Sequence, residues 1–245
     1  HPVAHSFPTR RSSDLAKYHT NKLRAGHLLG NQFTITITDV EEDALEKAQK
    51  IADKIHEIGI PNYYGVQRTG KEGENIKQGW LLLKNKKRIR DRWLRKLLLS
   101  SYQSYLCNRF LAQRVENEKY TELIQGDIAK KHDTGGEFHV EDLETEQKRF
   151  NNKEISFTAP MFGYKMREVT DESGIFESSI LDSVTITKKD FRKHHVKGTR
   201  RMGRILPEIT LDTCEDGLMI SFTLMKGSYA TTVLREFMKN DVFAD

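Results

Sequence analysis

Pro61-Asn62-Tyr63-Tyr64-Gly65-Val66-Gln67-Arg68-Thr69-Gly70 sets two adjacent aromatic rings, two side-chain amides, an arginine and two glycines side by side. An aromatic face can stack on a nucleobase, an amide can hydrogen-bond its edge, and an arginine can hold a phosphate. The flanks show how such a loop is held. Leu45, Ala48, Ile51, Ala52, Ile55 and Ile58 recur at steps of three and four, which predicts a helix with one apolar stripe. Asp39-x-x-Glu42 reads as a capping box opening it. Gly59 ends it and Pro61 prevents its resumption. The loop therefore emerges where a helix stops. Further upstream, Gln32 to Thr38 alternates polar and apolar, a strand with Phe33, Ile35 and Ile37 on one face.

Downstream, Trp93, Leu94, Leu97, Leu98, Tyr102, Tyr105, Leu106 and Phe110 outline a second, longer helix over about 91–115, and their plain reading is core. The segment 119–195 is choppier. It holds Asp133-Thr134-Gly135-Gly136, a short alternating piece at Glu137-Phe138-His139-Val140 and a helix near 143–150. Leu218 to Leu224 alternates as a strand. Gly227-Ser228 then opens a last helix, with Ser228 as its N-cap.

The composition narrows the function classes. No apolar run approaches the roughly 18 residues that a membrane span needs, and no secretory signal pattern is present. Cys107 and Cys214 are the only cysteines, without C-x-x-C spacing. That argues against a zinc site or a disulfide framework and fits a reducing cytosol. The histidines lack the H-x-E spacing of a zinc deaminase. The net charge of +5 permits nucleic-acid binding. Its distribution says more. One basic cluster runs from Lys84 to Lys96 and a second from Lys188 to Arg204, the latter including Lys193, His194, His195, Lys197, Arg200 and Arg201. Each is readable as a solvated face or as phosphate-binding surface.

Five segments, in order, carry a family resemblance. Residues 61–70 resemble the N-Y-F/Y-G-x-Q-R-F/T-G signature of the TruD family of pseudouridine synthases. His19 to Asn31 resembles its H-x-x-K-L-R-x-G-x-L-x-G-N entry segment, and Ala159-Pro160-Met161-Phe162-Gly163 its G/A-P-I/L/M-F/Y-G turn. Gly198-Thr199-Arg200-Arg201 is similar to its G-T/S-R-R segment, and Gly227 through Glu236 to its closing-helix motif. Together they cover nearly all of residues 16–245.

The resemblance implies an α+β pseudouridine-synthase catalytic domain, in parts 16–87 and 204–245, with an α+β insertion domain at 88–203. Residues 1–15 match nothing in the family's motifs and are set apart as a leader. The implied activity is isomerisation of a uridine in transfer RNA, at position 13, in the cytoplasm, with tRNA as partner and without metal or organic cofactor. The N1–C1′ bond breaks, the base turns, and C5 bonds to C1′ after an aspartate acts as nucleophile. The target base must leave its stack first.

By resemblance Asn62 contacts the target nucleotide, Tyr64 forms an active-site wall and Tyr229 lines the uracil pocket. Gln67 and Arg68 either bind RNA or brace the loop. Lys22, Arg24 and His27, with Lys197, Arg200 and Arg201, are candidate RNA contacts. In the family the nucleophilic aspartate sits in a G-x-K-D motif some tens of residues before the H-x-x-K-L segment. That motif is missing here, and Asp14 has neither the flanking residues nor the distance. The expectation is a chain lacking its N-terminal part and inactive by itself. The rival reading is a non-catalytic RNA-binding protein of the same fold.

Overall fold

The computed structural model describes residues 29–239. The segment His19 to Leu28, with Lys22, Arg24 and His27, lies outside the described residues, as do the leader and Asp14. Strand β1 (Gly30–Ile37) leads to helix α1 (Ala44–Ile58) and the short strand β2 (Ile60–Pro61). After the loop come α2 (Val66–Thr69), α3 (Glu74–Leu83) and the long α4 (Arg92–Glu116). Then follow β3 (Ile128–Lys131), β4 (Glu137–His139), α5 (Leu143–Asn151), β5 (Ile155–Met161), α6 (Asp171–Ser183) and α7 (Lys188–Lys193). The chain closes with β6 (Thr199–Met202), β7 (Arg204–Ile205), β8 (Ile209–Cys214), β9 (Gly217–Met225) and α8 (Ala230–Met238).

The strands form an antiparallel three-stranded sheet β1-β9-β8, a two-stranded pair β2-β7 and an antiparallel four-stranded sheet β4-β3-β5-β6. Two apolar clusters follow. In the smaller, Ile220 and Phe222 of β9 pack with Ala48 and Ile55 of α1 and Val233 of α8. The larger is built on α4, with Leu106, Phe110 and Leu111 against Ile155 and Phe157 of β5, and it takes in Leu82 and Leu83 of α3. A buried ion pair sits at its edge. Arg114 donates from Nη1 to both carboxylate oxygens of Asp127 at 3.0 Å, and from Nη2 to the Glu122 carbonyl at 2.7 Å. Asp127 also accepts from Ser173 Oγ and from the Ile124 N–H, so the buried charge is fully hydrogen-bonded.

Several expectations need correction. The Asp39–Glu42 capping box does not form: Asp43 stands at the N-cap, its carboxylate paired with Lys47 rather than capping the backbone, and Asp39 has a positive φ of 53°. Leu45 is 41% exposed, so the α1 stripe begins at Ala48. Asp91 caps α4 by accepting from the Leu94 N–H. Trp93 and Leu94, expected in the core, stand in its first turn at the surface, Trp93 72% and Leu94 36% exposed. Ala159-Pro160-Met161 ends a fully buried strand paired with β6, and the turn comes only after it. The residue at the N-cap of α8 is Tyr229, not Ser228.

Candidate nucleotide-binding cleft

The signature loop is pinned from three sides. Gly59 ends α1 at φ 76°, where a Cβ would strike Arg204 Cγ at 2.6 Å and the Ile205 carbonyl at 2.7 Å, so only glycine fits. The chain passes through β2, paired with β7, and delivers Asn62 against the β6–β7 junction. The Asn62 N–H donates to the Gly203 carbonyl, and its Nδ2 donates to the Met202 carbonyl, both at 2.9 Å. The amide of Asn108 on α4 then clamps Tyr64, accepting from its N–H at 2.8 Å and donating to its carbonyl at 2.9 Å. Ser101, one helical face further back, donates to the Arg68 carbonyl at 2.7 Å. The third side is α8: Tyr229 meets Tyr64 edge to face with ring centroids 5.6 Å apart, and Thr232 Oγ1 donates to the Tyr63 carbonyl.

Arg201 closes the arrangement from β6. Its guanidinium lies over the Tyr64 ring, 3.9 Å from the centroid. From Nη2 it donates to Asn62 Oδ1 and, at 3.0 Å, to the Gly227 carbonyl. Its Nη1 is buried without a partner among the described residues. Burial raises the Tyr64 phenol pKa against the opposing pull of Arg201. Cys107 lies beneath, fully buried, its thiol pushed up to about 12 by burial. That makes it a packing residue rather than a nucleophile.

Asn62, Tyr64 and Arg201 line one cleft of about 500 Å³, roofed by the β3–β4 turn at Asp133–Gly135 and by Gly227-Ser228 ahead of Tyr229. The Tyr64 ring also borders a second cavity of about 590 Å³ toward α4 and α8, lined by Tyr63, Tyr105 and Asn108. Only the first brings the Asn62 amide, an aromatic face and a guanidinium together. Of the expected residues, Asn62, Tyr64 and Arg201 therefore share this cleft, while Tyr229 lines neither cavity and reaches the site only through its ring contact with Tyr64. Arg68 stands at the margin, its guanidinium 5.9 Å from the Tyr64 centroid. Gln67 is exposed and lines neither cavity. Lys197 lines a separate groove, away from the cleft.

Arg200 corrects an expectation. It alternates with Arg201 on β6 and points the opposite way, 4% exposed. Its guanidinium pairs with Glu177, and it donates from Nε to Thr158 Oγ1 and from Nη1 to the Arg167 carbonyl. That side chain ties α6 to the sheet and is closed to a phosphate.

Two cleft residues were not singled out from the sequence. Arg204 is 3% exposed yet meets no carboxylate among the described residues. It donates from Nε to Ser156 Oγ and from Nη2 to the Phe150 and Ile155 carbonyls, over the Phe150 ring at 3.7 Å. Burial lowers its pKa to about 10. His132 shares the same serine at 2.9 Å, and burial lowers its pKa too. Arg204 was visible only as one charge in a basic cluster; His132 had no local signal at all.

The family profile for tRNA pseudouridine synthase D (TruD) matches residues 12–89 and 88–237, beginning inside the stretch set apart as a leader. A tRNA pseudouridine synthase D of Thermus thermophilus is 43% identical over 225 residues, covering 91% of this chain and 62% of that protein. That of Anaeromyxobacter dehalogenans (strain 2CP-C) is 38% identical over 248 residues, 98% of this chain and 70% of that protein. A solved structure assigned to tRNA pseudouridine synthase D from Methanosarcina mazei superposes with a TM-score of 0.67 at 22% identity, covering 88% of this chain and 70% of that one. The fold is thus the α+β fold of the pseudouridine synthases. The chain belongs to the TruD family, and it spans 62% and 70% of the lengths of the two relatives above.

Proposed function

We propose that this chain carries the substrate-holding part of a tRNA pseudouridine synthase, acting on uridine 13 of transfer RNA in the cytoplasm. The observation that carries the reading is that Asn62 and Tyr64 of the signature loop and Arg201 of β6 line one cleft, with Tyr229 of α8 braced edge to face against the Tyr64 ring. An extruded uracil offers a flat face and an edge with both donors and acceptors. Tyr64 supplies the matching face and Asn62 the matching amide. In the free protein the planar Arg201 guanidinium holds both of those positions, so uridine entry and displacement of Arg201 are one event.

The residue division 16–87, 88–203 and 204–245 is proposed on the same footing. Its support is that one apolar cluster draws mainly on residues between the two cuts, and the other on residues outside them.

The nucleophilic carboxylate is the piece the sequence does not supply, since no G-x-K-D motif occurs in it. We infer that the chain by itself binds tRNA without isomerising it, which is the behaviour of the RNA-binding alternative. A carbodiimide primer-extension assay on an unmodified tRNA transcript tests this. The chain alone should leave no stop at uridine 13, and a fusion placing a family G-x-K-D segment ahead of residue 16 should produce one. A stop with the chain alone that disappears in Asp14→Asn would overturn the inactivity. A folded, tRNA-binding fusion that stays silent would overturn the synthase reading.

A further inference from the structure

The two basic clusters, a hundred residues apart in sequence, meet in one groove of about 600 Å³ behind the signature loop. Arg92, Arg95 and Lys96 come from the first turns of α4, His194 and Lys197 from the loop after α7, and Arg68 from α2. No carboxylate lines it among the described residues. Arg95 Nη2 meets His194 Nδ1 at 3.1 Å and ties the two walls together. Leu99, Gln103 and Met161 form the floor. Arg68 Nε and His194 Nε2 are buried without a partner among the described residues. The dipole of a 25-residue helix adds positive potential at the same end. Beside the groove, one step round the helix from Arg92, Trp93 is 72% exposed.

Like charges gathered from distant segments repel one another, and a groove that holds them with no carboxylate among the described residues is a surface shaped for an anion. An RNA strand has the complementary chemistry, with phosphates for the cations and an unpaired base for the indole. Arg68 links this groove to the Tyr64 ring, through the short helix α2.

We propose that this groove is a second RNA-binding site, distinct from the uridine cleft, that takes backbone phosphates of the same tRNA and stacks one unpaired base on Trp93. The proposal rests on the tRNA reading above.

Its test is filter binding of an unmodified tRNA transcript across ionic strength, with the whole chain. Each neutralised phosphate contributes about 0.7–0.9 to the slope of log affinity against log salt, the lower figure for a single strand. The triple variant Arg92→Gln, Lys96→Gln, Lys197→Gln should lower the slope by about 2–3 and weaken binding at least tenfold. Trp93→Ala should weaken binding roughly 5- to 150-fold, and Trp93→Phe should restore most of it. Circular dichroism shows whether α4 stays folded, and Trp93→Phe, which keeps the ring, guards against a purely structural effect. If the wild-type chain binds tRNA but the triple variant and Trp93→Ala bind equally well, the second site is overturned while the cleft reading stands. If inorganic polyphosphate displaces tRNA completely and Trp93→Ala changes nothing, the groove is a generic polyanion surface and the stacking claim fails. If the wild-type chain does not bind tRNA at all, both readings fall.

Discussion

Two neighbouring arginines show how one residue step decides a role. Strand alternation sends Arg200 inward to Glu177 and Arg201 outward over Tyr64. Arg200→Ala would strand a buried carboxylate, and breaking such a pair costs about 3–5 kcal/mol. Burial already raises the Glu177 pKa. A carboxylate whose folded pKa is raised loses stability as pH climbs from its unfolded to its folded value, and without Arg200 that window widens upward. The destabilisation measured by urea unfolding should therefore be larger at pH 8 than at pH 5, and a loss independent of pH would contradict the pairing. The sequence offered both arginines equally as RNA contacts, because neither local charge nor the motif says which face of the strand is buried.

At the scale of elements, strong periodicity was legible and mixed character was not. The stripe of α1, the length of α4 and the alternation of β1 and β9 all follow from residue spacing. Beyond the single turn of α2, three helices went unread. In α3 only Ile76 precedes the unbroken run Trp80-Leu81-Leu82-Leu83, which blurs any stripe. In α6, Gly174 interrupts the pattern and Ile175 is 73% exposed. The six residues of α7 are mostly charged, and it is set by a capping box between Thr187 and Asp190. Strand β5 carries a legible alternation, Ile155, Phe157, Ala159 and Met161 with Ser156 and Thr158 between them, but it went unread beside the turn expected at Ala159–Gly163; both polar residues are buried and hydrogen-bonded.

The junction of β6 and β7 is where elements meet the site. Gly203 donates to the Phe157 carbonyl and accepts from the Asn62 N–H, and a Cβ there would fall 2.2 Å from the Phe157 ring. Gly203→Ala should cost about 1–3 kcal/mol by overpacking and displace Asn62 from the cleft. Differential scanning calorimetry reads the first effect. An unchanged melting temperature would show that the junction tolerates movement.

At the scale of the whole molecule, the order of the five motifs foretold the family and the fold, while the site had to be seen assembled. Asn62 and Tyr229 are far apart in sequence, and only the docking of α8 on the signature loop brings Tyr229 onto Tyr64. Arg204 and His132 joined the cleft through a shared contact with Ser156, a residue no motif contains. Likewise the basic clusters were readable as charge, but their meeting behind the loop is a tertiary fact.

The central claim is that the target uridine enters the cleft lined by Asn62, Tyr64 and Arg201, against the Tyr64 face that Tyr229 braces. A tRNA transcript carrying 4-thiouridine at position 13 tests it without requiring turnover. After near-ultraviolet irradiation of the complex and mass spectrometry of the digested protein, the cross-link should map to residues 61–65 or 227–231 and weaken on Tyr229→Ala. A cross-link confined to the groove at residues 92–96, or one indifferent to Tyr64→Ala and Tyr229→Ala, would contradict it.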